Sequence, residues 1–210
     1  FDTLSVEKRV LLTADTNSPA YDMKLNVKYV KEGSEDVRKV VNDAITAKLF
    51  NTHNVDIKMA VDSFIKEKTN SYINDMLPLY KEDMHSIHIN IYTFHLQPHG
   101  YNQLLTLNFD KSTGKTVTLD DVLVPGYKVK LNALLQKALM EKADCKDINE
   151  LHDKGYLFSM EMYPSNNFVL AQDGITFIYN PYEIAPYALG RIELTVSNAD
   201  LEQLRKKKGD

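Results

Sequence analysis

Four of the chain's six histidines, His85, His88, His95 and His99, fall in one short stretch, which makes metal binding the first chemistry to test. A zinc hydrolase needs its imidazoles converging, commonly as a compact pair on one helix face. His88 and His95 have opposite parity, so in an uninterrupted strand they point to opposite sides. His95 and His99 bracket a turn, and His53 and His152 add no ligand spacing. Separate strand or surface histidines account for the pattern, and no metal is assigned. The carboxylates Asp110, Asp120 and Asp121 are the next candidates. A carboxylate pair runs glycosidase chemistry only at suitable separations. Here Asp110 opens a turn-like segment and Asp120 reads as the cap of a short helical turn, so neither is assigned catalysis. The acidic loop of a calcium-binding helix pair is missing. The serines, including Ser159 and Ser165, lack a nucleophile-elbow setting. Cys145 has Lys142 and Lys146 nearby, but a helix-end or partly buried thiol explains it as well. With no phosphate loop and no dinucleotide fingerprint, no cofactor is expected.

The most unusual local feature is Asn180-Pro181-Tyr182-Glu183-Ile184-Ala185-Pro186-Tyr187. Two prolines restrict the backbone, and two tyrosines offer apolar rings with polar tips. Such a segment serves as a rigid crossover with its aromatics packed over a sheet, or as a preorganised recognition loop that loses little entropy on docking. In the second case Tyr182, Glu183 and Tyr187 form a binding surface, with the carboxylate accepting hydrogen bonds. A second aromatic run, Tyr156, Phe158, Met160, Met162 and Tyr163, reads as the buried face of a strand or as part of a hydrophobic groove.

The elements that would position these residues follow from periodicity. Residues 5–13 and 21–30 read as strands; in the latter Met23, Leu25, Val27 and Tyr29 alternate with polar residues. Ser34 caps a helix with the apolar stripe Val37, Val40, Val41, Ala44, Ile45 and Leu49. A second helix is expected over residues 55–77, ended by Pro78. Residues 86–96 and 102–109 read as strands. Residues 110–115 have hairpin chemistry around Gly114, and residues 116–119 a short strand. Helices are expected over residues 127–142 and 147–154. A hairpin turning at Asp173-Gly174, a strand over 191–196 and a short polar helix from Asn198 complete the chain. The order predicts an α+β fold of mixed or antiparallel sheets packed against helices. It divides into two closely associated subdomains, residues 1–98 and 99–210.

The 210 residues suffice for one large domain or two small ones. Hydrophobic residues make up 43% and the formal net charge is -4, an ordinary folded composition without the basic field that nucleic acid requires. The run Arg205-Lys206-Lys207-Lys208 reads as a solvated end. One cysteine excludes an internal disulfide. No apolar stretch is long enough to span a membrane. The first residue is Phe1, not Met, which suggests a mature or truncated chain, with room for a targeting segment removed ahead of it.

Three segments carry a family resemblance. They are His99-Gly100 with Leu105-Thr106-Leu107-Asn108-Phe109-Asp110, the run from Thr113-Gly114-Lys115 through Asp120-Asp121-Val122-Leu123, and the run from Gly174 through Asn180-Pro181-Tyr182-Glu183 to Gly190. Together they resemble the extracytoplasmic RsiV-like domain, found in a lysozyme-sensing anti-sigma factor and in many secreted proteins and lipoproteins. The preceding part resembles the module often found before it, also upstream of some peptidoglycan deacetylase domains. The resemblance implies an α+β fold, an exported location and a lipid-anchored parent, and it adds His99 to the binding residues. The leading expectation is therefore a noncatalytic extracytoplasmic binding or sensing module. Its candidate partners are an envelope protein, a lysozyme-like protein or a peptidoglycan fragment, not nucleic acid. The competing expectations are a structural or accessory domain of an envelope lipoprotein and, behind it, a hydrolase of cell-wall sugar.

Overall fold

The computed structural model describes residues 1–11, 19–66, 70–81, 84–94, 101–110 and 112–206. The chain forms two compact units, Phe1–Thr116 and Val117–Asp210, each with its own sheet.

The first unit opens with β1 (Asp2–Leu11) and β2 (Pro19–Tyr29), an antiparallel pair. The alternation read from the sequence is realised in β2, where Met23, Leu25 and Val27 are fully buried. Helix α1 (Glu35–Phe50) follows. Ser34 accepts a hydrogen bond from the Val37 amide at its start, and Glu35 and Asp36 sit in the first turn, where the helix dipole favours them. Asn51 ends it in the left-handed conformation, its N–H returning to the Ala47 carbonyl. The Asn42 amide pins α1 to the end of β2 by accepting from the Val30 N–H at 2.7 Å and donating to the Val30 carbonyl at 3.0 Å. Helix α2 (Ile57–Ile65) is capped by Asp56. Its buried Ile57 and Val61 join Leu25, Val27, Val41, Ile45 and Phe109 in the core of this unit.

The long helix expected over residues 55–77 is corrected. The helix ends at Ile65 and residues 70–81 form β3 (Asn70–Lys81). Asn70 and Ser71 are weak helix formers, and the Tyr72-Ile73 pair that follows suits a strand. Strand β3 runs parallel to β2 over Ser71–Ile73 and antiparallel to β4 (Met84–Phe94) along its length. Pro78 lies where β3 is paired to β4 alone, so its missing N–H breaks no second ladder. Strand β5 (Tyr101–Asp110) pairs with β4 and closes a mixed sheet of order β1-β2-β3-β4-β5. That pairing holds β5 in the first unit, so the compact units divide after Thr116, whereas the sequence suggests a division at 98/99, which this sheet crosses.

A tight turn follows β5. The Asp110 carboxylate accepts from the Ser112 N–H at 3.0 Å and hydroxyl at 2.6 Å, and from the Thr113 N–H and hydroxyl at 2.8 Å each. These donors, the Ser112 and Thr113 hydroxyls foremost, hold its pKa down at about 2. Gly114 takes φ 72°, and a Cβ there would lie 3.0 Å from methyls of both Val37 and Val41. The site demands glycine for conformation and for space.

At the end of the first unit the expected strand at residues 116–119 reduces to a single bridge from Thr116 to Phe109. In the second unit, helix α3 (Leu119–Val122) begins two residues earlier than a cap at Asp120 implies. The cap is formed by Thr118 with Asp121, whose carboxylate accepts from the Thr118 N–H at 2.7 Å and hydroxyl at 2.6 Å, rather than by Asp120. Helices α4 (Lys128–Ala143) and α5 (Ile148–Asp153) match expectation, the latter capped by Asp147. The strands β6 (Phe168–Leu170), β7 (Gly174–Tyr179) and β8 (Ile192–Ser197) make an antiparallel sheet, followed by α6 (Asn198–Leu201). Leu131, Leu135 and Leu139 of α4 pack with Phe177 of β7 and Ile192, Leu194 and Val196 of β8. Gly174 is not the positive-φ turn residue that Asp173-Gly174 suggests. It is needed because a Cβ would lie 2.0 Å from the Val196 carbonyl oxygen on β8. The whole molecule thus combines helices with one mixed and one antiparallel sheet, an α+β fold.

Candidate functional site

Strand β7 ends at Tyr179, which is fully buried, and delivers the chain into the proline–tyrosine segment. Asn180 and Pro181 are buried behind it. The chain then folds back on itself. The Tyr182 N–H donates to the Ala185 carbonyl at 3.0 Å, and the Glu183 N–H to the Asn180 carbonyl at 3.1 Å. Ile184 and Ala185 plug this turn into the core. After Pro186 the chain makes a short 3-10 turn over Tyr187–Leu189, closed by N–H bonds from Leu189 to Pro186 and from Gly190 to Tyr187.

The turn sends its small and aliphatic residues inward and a tyrosine outward. Tyr182 is 53% exposed and sits at φ 72°, a region a bulky L-residue occupies at a cost. Its ring lies 5.7 Å from that of half-buried Tyr187, tilted by 33°. The Glu183 carboxylate accepts from the Asn180 amide at 3.4 Å. It also lies close enough to the Tyr163 and Tyr179 hydroxyls to disfavour their ionisation. For both phenols burial is the larger cause of a raised pKa. The Tyr179 hydroxyl donates to the Tyr163 carbonyl at 2.5 Å, and the two rings meet edge to face at 5.6 Å.

Tyr163 belongs to a second loop, and here the reading of the sequence is corrected. The run from Tyr156 to Met162 is not a strand. Leu157–Ser159 form a 3-10 turn in which Leu157 and Phe158 take φ 61° and 43°. Leu157 and Met162 are buried, while Phe158 and Met160 stand 47% and 46% exposed. The alternation fails because the chain turns over itself, which leaves that pair on the surface. The two loops are tied together by the Leu157 N–H, which donates to the Ile184 carbonyl at 2.6 Å, and by the Tyr163–Tyr179 contact.

Of the nine large apolar side chains exposed among the described residues, five stand on these two loops: Phe158, Met160, Tyr163, Tyr182 and Leu189. Three of the non-glycine residues at positive φ, Leu157, Phe158 and Tyr182, lie there too. Strain of this kind persists only where surrounding structure holds it, and it collects at binding sites. Tyr182, Glu183 and Tyr187 are therefore brought together in one loop, joined by a partner loop. The sequence missed Leu189, which carries no chemical signature. His99 lies outside the described residues.

The other candidates are dispersed. Asp110 and Asp121 are engaged in the turn and the cap described above. Asp120 accepts through its backbone carbonyl from the Lys206 ammonium at 2.7 Å. Ser165 is buried and its hydroxyl accepts from the Asn167 N–H at 3.0 Å, a structural role. Cys145 is half-buried with its thiol 3.6 Å from the Ala143 carbonyl. His85 and His88 lie on β4 opposite Phe109 and Thr106, and His95 falls outside the described residues. Among the described residues no three His, Cys, Asp or Glu side chains are grouped to hold a metal ion. Nor is any helix there long and apolar enough to cross a membrane.

No curated protein matches the chain. In solved structures, the fold is shared with a DUF3298 family member from Bacteroides fragilis, 24% identical, with a TM-score of 0.87 over 98% of this chain and 93% of that one. It is shared also with a DUF3298 family protein from Pseudomonas aeruginosa PAO1, 17% identical, with a TM-score of 0.73 over the same fractions. Residues 120–199, which span both loops of the second unit, match the family described as "Protein of unknown function (DUF3298)".

Proposed function

We propose that this chain is a noncatalytic binding or sensing module of the cell exterior, and that the paired loops of the second unit are its recognition surface. The observation that carries this reading is Tyr182. Its ring is half exposed, held at a costly backbone angle and tilted against that of Tyr187, on a turn anchored by buried Ile184 and Ala185. A rigid aromatic surface of that kind contributes apolar contact while losing little conformational freedom. Tyrosine and methionine are also residue types enriched in protein interfaces. Glu183 adds a carboxylate beside the rings. The engagement of Asp110 and Asp121 in local turns favours binding over carboxylate catalysis. The RsiV-like resemblance of the sequence supports an extracytoplasmic setting, a lipid-anchored parent and a lysozyme-like protein, another envelope protein or a peptidoglycan fragment as partner.

The test is chemical-shift mapping of the intact chain against lysozyme, muropeptides and envelope extract. Saturable shifts confined to residues 157–163 and 181–189, lost in Tyr182→Ala, are expected. A well-folded protein whose two loops respond to none of these would return the chain to a structural or accessory role.

A further inference from the structure

The first unit carries an open groove of about 620 Å³ beside α1, within the size range of small-molecule sites. Val40, Ala44 and Ala47 line it from the helix and Leu107 from β5. Their spacing on α1 places them on one helix face. That face differs from the one carrying Val41 and Ile45, which are buried in the core, whereas Val40 is 38% exposed. The two alanines keep the trough open where longer side chains would fill it.

The polar lining is cationic on balance. Lys48, one turn beyond Ala44, and Lys115, just past the Gly114 turn, both border the groove. The carboxylate in the lining, Asp43, is already engaged, 3.5 Å from the His53 imidazole and accepting from the Asn54 N–H. Among the described lining residues, two lysines border the groove against one carboxylate. Among the described residues no Phe, Tyr or Trp ring lines it, so it lacks the broad stacking platform that a sugar ring would use.

We infer that this groove binds a single-chain anionic amphiphile. The hydrocarbon lies along Val40, Ala44, Ala47 and Leu107, and a carboxylate or phosphate head meets Lys115 and Lys48. A neutral chain would forgo the lysines, and a cationic one would be repelled by them. This site is separate from the tyrosine loops and does not depend on their role.

The test is a titration of the whole labelled chain, followed by amide chemical shifts, with dodecanoate and dodecyl phosphate below their micelle thresholds. Dodecyltrimethylammonium and acetate are run alongside. Saturable shifts at residues 40–48, 107 and 115–116 are expected with at least one of the anionic amphiphiles, and the stronger of the two identifies the head group. No saturation is expected with the cationic chain or with acetate. Ala47→Phe and Lys115→Glu each weaken binding at least tenfold, while Tyr182→Ala leaves it unchanged. Lys115 is exposed, so Lys115→Glu decides the matter even if Ala47→Phe perturbs the fold. Equal binding of the cationic chain, shifts centred elsewhere, unaltered affinity in Lys115→Glu, or no response to either anion overturns the proposal.

Discussion

Two tight loops in this molecule solve the same geometric problem in opposite ways. The turn at residues 110–115 reverses the chain after β5 and satisfies itself: one carboxylate serves four donors, and among its described residues the positive-φ position is a glycine. The loop at residues 180–190 also reverses the chain, yet it puts a tyrosine at positive φ and leaves that ring half exposed. Nothing in chain reversal requires this, since glycine would occupy the same angle without the clash. A loop selected only to connect strands resembles the first. The second retains a local cost at an exposed ring, and this difference directs attention to it as a surface for something else.

The comparison breaks or sharpens under substitution. The largest effect is expected at the loop's anchor. Ile184→Ala empties a fully buried site and costs about 3 kcal/mol by chemical denaturation. If it costs well under about 1 kcal/mol, the loop is not held from beneath and its rigidity is lost as an argument. Next comes Asp110→Ala, which strands the donors of the turn and costs about 1–2 kcal/mol, discounted because those donors can reach water. Its pH signature is specific. The hydroxyl and amide donors hold the folded carboxyl down at about 2, below the ordinary range of an aspartate, so its contribution is complete above that ordinary range and is lost as pH falls toward 2. Asp110→Asn keeps an oxygen acceptor for those donors, so it should flatten that acid limb and cost less than Asp110→Ala at neutral pH. An unchanged acid limb would mean that the turn owes little to the charge.

The smallest effect is the most pointed. Tyr182→Gly should be more stable than Tyr182→Ala by about 1 kcal/mol, because only glycine relieves the left-handed angle, although its freer unfolded chain offsets part of the gain. Equal stability of the two variants would remove strain from the comparison. Binding should be lost in both, which separates the ring's role from the backbone's.

Where periodicity was unambiguous, the elements were legible. The β2 alternation, the α1 stripe with its Ser34 cap and the leucine spacing of α4 all correspond to observed burial. The helix drawn through residues 55–77 failed for a reason visible in the residues. Phe64 and Ile73 would lie on opposite sides of a continuous helix, so no single stripe joins them. The loop at residues 157–162 was less legible, because nothing about leucine or phenylalanine announces a positive φ. Two prolines and two tyrosines marked the 180–187 segment as unusual. Which ring would face outward depended on Ile184 and Ala185 finding the core, a tertiary fact.

The five-stranded sheet holds a further consequence. Hairpin β1–β2 and meander β3–β4–β5 are each zipped along nearly their full length, but among the described residues β2 and β3 pair through Met23–Leu25 and Ser71–Ile73 alone. That short parallel seam joins segments far apart in sequence, so its closure carries the loop-entropy cost of the intervening helices. In folding, the two blocks are expected to assemble first and the seam to close last. In native-state amide exchange, the protons bridging 23–25 and 71–73 should be released before those within either block.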